Sequence, residues 1–81
     1  MKAIVWSKFN CPYCVSAVAL LTQKGYSIEE RKLDFGWNRE QLLEAVPTAR
    51  TVPQIFLDGE YVGGYDNLVK HFDTKVDKPA S

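Results

Sequence analysis

The stretch Lys2-Ala3-Ile4-Val5-Trp6-Ser7-Lys8-Phe9-Asn10-Cys11-Pro12-Tyr13-Cys14 joins a β-forming run almost directly to two cysteines two residues apart. Lys2 to Trp6 is rich in β-branched and aromatic residues, the composition of a buried strand ending at Ser7. From Pro12 onward, Val15, Val18, Ala19 and Leu20 or Leu21 recur at helical spacing, and Gln23, Lys24 and Gly25 supply a polar last turn with a glycine stop. Pro12 suits the first turn of that helix, where its missing N–H is one of the unpaired donors anyway. Cys11 therefore falls at the helix N-cap.

Cys11 and Cys14 are the only cysteines in the chain, and their spacing admits three readings. A structural disulfide here would close a loop too short to constrain the unfolded chain much. A closed zinc site usually needs four Cys or His ligands, and the sequence adds only the distant His71. A redox dithiol needs two sulfurs that can close a small ring, one of them exposed and of low pKa, and a Cys-x-x-Cys segment at a helix start supplies both. The context along the chain decides among them.

Ile28 to Leu33 has mixed charge, but a strand there after a helix of this length completes a right-handed βαβ unit. Asn38 and Gln41 have capping-box spacing and lead into Leu42, Leu43 and Val46 before Pro47, which predicts a short second helix. Gln54 to Leu57 and Tyr61-Val62 flank Asp58-Gly59-Glu60, a hairpin signal. Asp66 can cap a last helix running through Leu68, Val69 and Phe72. The polar segment 74–81 reads as a frayed tail, which leaves one domain over 1–73. The order is βαβ, then α, then ββα, an α/β fold.

The 81 residues carry one core and one surface site. Hydrophobic residues at 46% and charged residues at 25% exclude a low-complexity chain. Ten basic and ten acidic side chains cancel, which removes the electrostatic case for a nucleic-acid or membrane partner. No apolar run approaches the ~18 residues of a membrane helix. The N-terminus lacks the pattern of a secretory signal, so the expected location is cytoplasmic, where thiols are held reduced.

Three segments in order resemble the glutaredoxins: Lys8-Phe9-Asn10-Cys11-Pro12-Tyr13-Cys14, Thr51-Val52-Pro53-Gln54-Ile55-Phe56 and Gly63-Gly64-Tyr65-Asp66-Asn67-Leu68. The resemblance implies a thioredoxin-like fold, a four-stranded mixed sheet with three helices. It implies a cis peptide before Pro53, which residues alone leave undecided against a trans proline opening an edge strand. It also implies glutathione as reducing co-substrate, with no tightly bound cofactor and no metal.

Cys11 is the expected nucleophile, because unpaired N–H groups and the macrodipole at a helix N-terminus favour a thiolate. Cys14, one turn deeper, is the expected resolving thiol; its plainer reading is a buried core thiol. In the family pattern Lys8 stabilises the Cys11 thiolate and meets a carboxylate of glutathione, whereas alone it reads as a solvated loop lysine. Tyr13 is expected to be exposed, lining the ligand groove. Thr51, Val52 and Pro53 would hold glutathione as a short added strand through the Val52 backbone. Gly64, Tyr65 and Asp66 open the last helix, whose N–H groups can hold a carboxylate while the Asp66 carboxylate accepts the γ-glutamyl ammonium. Tyr65 stands where many family members have a smaller residue, often cysteine. Arg39, Gln41 and Arg50 are candidate outer contacts that the motifs do not separate. His71 reads as a surface residue, and Trp6 and Trp37 as packing.

The implied activity is a glutathione-dependent thiol–disulfide oxidoreductase that reduces protein disulfides and glutathione mixed disulfides. Its expected partners are glutathione and disulfide-bearing proteins, ribonucleotide reductase among the candidates, and it is expected to be a monomer. One alternative is a redoxin recharged by thioredoxin reductase. Another is an iron-sulfur carrier in which two protomers share a cluster through Cys11 and glutathione, against which Pro12 and the second cysteine argue.

Overall fold

A computed structural model describes the backbone of residues 1–77 and the side-chain surroundings of residues 1–72. Its elements are β1 (Lys2–Ser7), α1 (Pro12–Gln23), β2 (Ser27–Lys32), α2 (Arg39–Ala45), β3 (Gln54–Leu57), β4 (Glu60–Gly63) and α3 (Tyr65–Asp77). The sheet runs β2-β1-β3-β4, with β1 parallel to β2 and antiparallel to β3, and β3 antiparallel to β4. This is the four-stranded mixed sheet with three helices that the motif resemblance implies.

Side chains alternate across the sheet, and the alternation divides the core in two. Ala3 and Val5 of β1, with Ile55 and Leu57 of β3, pack against Ala17 and Leu21 of α1 and Leu68 of α3. Trp6 packs on the other face against Leu42, Val46 and Ala49, with Ile4 and Phe56 beside it. Helices α1 and α3 thus cover one face and α2 the other. Each fully buried aliphatic such as Leu21 contributes about 1.5–3 kcal/mol by leaving water.

The buried stripe of α1 is Cys14, Ala17 and Leu21, not the predicted row beginning at Val15. Val15 and Ala19 face solvent, while Val18 and Leu20 are half-buried. The cysteine that belongs to the motif is itself the first residue of the apolar face. Strand β2 begins and ends one residue earlier than predicted, and Leu33 forms only an isolated bridge to Trp37.

The Asn38–Gln41 capping box is present, with both hydrogen bonds at 2.8 Å. The hairpin turn is Asp58-Gly59, with φ of 49° and 87°, the positive pair of a type I′ turn; Glu60 already belongs to β4. Asp66 is not the cap of α3. The helix begins at Tyr65, and the Leu68 N–H donates to the Gly64 carbonyl at 3.0 Å. Asp66 lies in the first turn, where its charge still complements the helix dipole. Helix α3 continues to Asp77, so 74–77 are helical backbone; 78–81 lie outside the described residues.

Trp6 and Trp37 pack edge to face at 5.3 Å, and the Arg31 guanidinium lies 4.4 Å from the Trp37 ring and 5.1 Å from Trp6. Arg31 also donates from Nε to Glu29 at 2.7 Å. That hydrogen bond holds the Glu29 carboxyl below its ordinary pKa, outweighing the opposing effect of desolvation. The two tryptophans are packing residues, as expected.

Candidate functional site

Strand β1 ends at Ser7, and residues 8–10 carry the chain to the start of α1, with Asn10 in the left-handed region at φ 56°. Cys11 is the N-cap, its backbone extended, with Pro12 next in the first turn. The Cys11 Sγ accepts a hydrogen bond from the Cys14 N–H at 3.2 Å, and the Cys11 carbonyl accepts from the N–H groups of Cys14 and Val15 at 3.1 and 3.2 Å. No acidic side chain lies in the first turn of α1. Nothing there opposes the pull that a helix N-terminus exerts toward the thiolate.

Cys11 and Cys14 are joined as a disulfide, with Cα atoms 5.3 Å apart. Their surroundings differ. Cys11 keeps 8% of its surface exposed and Cys14 1%, so an incoming thiol reaches Cys11 first. Cys11 Sγ also lies 3.9 Å from the Val52 carbonyl oxygen, which brings the start of α1 against the loop ahead of β3. The Val52–Pro53 peptide is cis.

Two open clefts flank this contact. One, about 380 Å³, is lined by Lys8, Cys11, Tyr13, Thr51 and Val52, with Arg39 and Arg50 at its rim and Leu33, Leu42 and Leu43 among its apolar walls. The other, about 460 Å³, is lined by Tyr13, Thr51, Val52, Pro53, Gly64, Tyr65 and Asp66. Tyr13, Thr51 and Val52 belong to both, so the clefts form one groove from Lys8 to Asp66. Every binding residue expected from the sequence lines it. Cys14 does not, lying behind Cys11 beside a third depression.

Tyr13 is exposed as expected, and its ring lies 5.7 Å from that of Tyr65, tilted by 33°. The large residue at position 65 therefore narrows the groove by pairing with Tyr13. Of the three outer candidates, Arg39 and Arg50 line the groove, whereas Gln41 has its amide oxygen occupied by the Asn38 N–H. The ion pairs among the described residues are Lys2–Glu29, Arg31–Glu29 and Lys32–Glu30. None involves Lys8, Arg39, Arg50 or Asp66. Cations thus stand at one end of the groove and a carboxylate at the other, each without an ion-pair partner among the described residues.

Gln54 and Tyr61 were not anticipated as site residues. The buried Gln54 amide donates from Nε2 to the Thr51 carbonyl at 2.9 Å, and its oxygen accepts from the Tyr61 hydroxyl at 2.6 Å. A polar residue inside an apolar strand run was the available signal. Gly64 lies against the loop, and a Cβ there would meet the Pro53 carbonyl oxygen at 3.4 Å, an ordinary van der Waals contact. Gly63 has φ 122°, and a Cβ on it would collide with the Asn67 side-chain amide.

Comparison with known proteins agrees with this geometry. The family model for glutaredoxin matches residues 3–62. The chain is 39% identical over 64 residues to glutaredoxin 3 of Escherichia coli, covering 79% of this chain and 77% of that one. It is 34% identical over 76 residues to glutaredoxin-C4 of Arabidopsis thaliana, covering 90% of this chain but 56% of that protein. The chain thus spans little more than half of the Arabidopsis relative. The solved structure of reduced Escherichia coli glutaredoxin superposes with a TM-score of 0.76 at 28% identity, over 95% of this chain and 99% of that one. Buckwheat glutaredoxin, solved in complex with glutathione, gives a TM-score of 0.73 at 33% identity, over 91% and 71% of the two chains.

Proposed function

This chain belongs to the glutaredoxin family and is a thiol–disulfide oxidoreductase, and from that premise we propose that it reduces glutathione mixed disulfides and protein disulfides with glutathione as the electron source. The observation that carries the glutathione reading is the groove on either side of the Cys11–Val52 contact, cationic at the Lys8, Arg39 and Arg50 end and acidic at Asp66. Glutathione carries two carboxylates and one ammonium at neutral pH, and charge-assisted hydrogen bonds to such groups are the strong ones. The Val52 backbone would pair with the tripeptide as an added strand, and the N–H groups at the start of α3 would meet one carboxylate.

In the proposed cycle the Cys11 thiolate attacks the glutathione sulfur of a mixed disulfide, and the partner thiolate leaves and takes a proton. A second glutathione thiolate attacks the Cys11–glutathione bond, giving glutathione disulfide and free Cys11. For a protein disulfide, Cys11 first forms a mixed disulfide with the protein. Cys14 then attacks Cys11, closes the Cys11–Cys14 bond and releases the reduced protein, and two glutathiones reopen the bond. Ribonucleotide reductase is one candidate protein substrate. We read the protein as a cytoplasmic monomer, since one chain supplies every residue of the groove and the cytoplasm keeps glutathione reduced.

The test is turnover of the mixed disulfide of glutathione and β-mercaptoethanol, with NADPH and glutathione reductase regenerating glutathione. NADPH consumption that depends on both glutathione and this protein is the expected result. Absence of turnover there, with turnover when thioredoxin reductase is supplied instead, would reverse the reading.

A further inference from the structure

A depression of about 530 Å³ reaches both Cys11 and Cys14, and the charged side chains that line it are Lys8, Lys32 and one carboxylate, Glu30. Sheet register brings that carboxylate there. In the parallel pair of β1 and β2, Val5 stands opposite Glu30 and Ser7 opposite Lys32. Ala3 and Val5 pack on α1 through Ala17 and Leu21, and the alternation of side chains puts Ser7, Glu30 and Lys32 on that same face. Cys14 begins the buried stripe of α1 that meets it. Glu29 and Arg31 alternate to the opposite face and pair with each other, and α1 adds no charged side chain to the lining. Ser7 is fully buried, and its hydroxyl donates to Glu30 Oε2 at 2.7 Å. Lys32 Nζ lies 3.9 Å from the same oxygen, so Oε1 carries neither contact. The Glu30 side chain is 35% exposed, whereas Cys14 is 1% exposed. A carboxylate in touch with water and a thiol cut off from it thus share one depression.

We propose that Glu30 is the proton acceptor for Cys14 in the step that closes the Cys11–Cys14 bond. This rests on the dithiol half of the cycle proposed above. A thiol must shed its proton before it attacks a disulfide, and a buried one has no bulk water at hand to take it. In the step, the Cys14 thiol gives its proton to the Glu30 carboxylate, directly or through one water. The Cys14 sulfur bonds to Cys11 Sγ, the bond from Cys11 to the substrate sulfur breaks, and that sulfur leaves as a thiolate and is protonated by water. The two cysteines are oxidised and the mixed disulfide is reduced. Glu30 then returns its proton to solvent. When glutathione later reopens the bond at Cys11, Cys14 leaves as a thiolate and is protonated by the same route. Ser7 and Lys32 act as positioning residues, holding the carboxylate at the depression.

The experiment mixes reduced protein with either glutathione disulfide or the disulfide of β-mercaptoethanol, quenches in acid at intervals, and follows by mass spectrometry first the Cys11 adduct and then its loss as the Cys11–Cys14 bond closes. Glu30→Gln still accepts the Ser7 hydrogen bond but takes no proton. Closure should be slower in that variant by roughly 10- to 100-fold at pH 7, the lower range of a general base. The deficit should narrow above pH ~9, where thiols ionise without help. Glu30→Asp, which keeps a carboxylate, should close faster than Glu30→Gln. Equal closure rates in native and Glu30→Gln proteins, a deficit that stays constant with pH, a loss of the same size in the earlier attack by Cys11, or no gain from aspartate overturns the assignment. Formation of the β-mercaptoethanol adduct without the glutathione adduct overturns the glutathione reading instead, and closure from the former still tests Glu30.

Discussion

The Tyr61 hydroxyl donates a 2.6 Å hydrogen bond to Gln54 Oε1, and the other end of that amide donates to the Thr51 carbonyl. The chain of bonds fixes the loop ahead of Pro53 from the β3–β4 side, at the wall of the cleft that Gln54 and Tyr61 help to line. Removing the hydroxyl leaves a buried acceptor short of a partner, so Tyr61→Phe should destabilise the protein by about 1–3 kcal/mol. It should also raise KM for the glutathione mixed disulfide more than it lowers kcat, because it loosens binding backbone without touching the sulfurs. Urea denaturation and steady-state kinetics check this; an unchanged KM would remove Tyr61 from the positioning of the loop.

The unequal exposure of the two sulfurs predicts unequal consequences of their loss. Cys11→Ser should bring turnover of every disulfide substrate to background. Cys14→Ser should keep turnover of glutathione mixed disulfides and lose the reduction of intramolecular protein disulfides, which needs the second thiol. Normal activity in Cys11→Ser would sink the mechanism.

Lys8, Arg39 and Arg50 surround the groove without carboxylate partners among the described residues. Arg39→Ala and Arg50→Ala should each raise KM for glutathione-bearing substrates by roughly 3- to 10-fold, the scale of one charge-assisted hydrogen bond at a partly exposed site. The native KM should rise with salt, and each variant should show a shallower dependence. A salt-independent native KM would argue that the cations do not meet the substrate.

Gly63 combines a φ of 122° with a position where a Cβ would collide with the Asn67 amide. Gly63→Ala should therefore cost about 1–3 kcal/mol, from backbone strain and displacement of the Asn67 side chain. Thermal unfolding should report a clearly lower Tm, while Gly59→Asn, in the type I′ turn, should be milder because asparagine tolerates positive φ. Comparable Tm values for the native protein and Gly63→Ala would refute the clash.

Glu29 supplies a pH signature for stability. Its folded carboxyl titrates below the ordinary value because Arg31 donates to it, so its contribution is present above the unfolded pKa and is lost as the pH falls through the folded one. The difference in stability between the native protein and Glu29→Gln should be small at neutral pH, since the pair is partly exposed, and should shrink further as acid protonates the carboxylate. A difference that grows on acidification would contradict the assignment.

The fold was legible where one residue type favours one backbone state: Pro12 in the first turn of α1, the Asp58-Gly59 turn and the Asn38–Gln41 box each stand where the sequence predicts, whereas the cis bond before Pro53 followed only from the motif resemblance. The groove was legible through its three motifs, all of which converge on it. Periodicity misled in α1, because Cys14 occupies a core position that a hydrophobic count assigned to Val15, and Val15 lies exposed beside the reactive sulfur instead. Asp66 lies two residues past the cap position, which Gly64 occupies without a capping side chain. The choice between Gln41 and the two arginines depended on which amide the capping box occupied, a matter of three-dimensional contact.

Strand β1 pairs on one side with β2, where Lys2 meets Ser27, and on the other with β3, where Ala3 meets Leu57. The first pairing closes a short stretch of chain and the second one about twice as long, and longer closures are entropically slower to form. Cys11 comes from the half that the short closure builds, and Val52, Pro53 and Asp66 from the half that the long one delivers. The groove is a seam between those halves. A chain that has assembled only its N-terminal half would carry both thiols without the wall that Val52, Pro53 and Asp66 supply, so the proposed tripeptide site would exist only once the last strands dock.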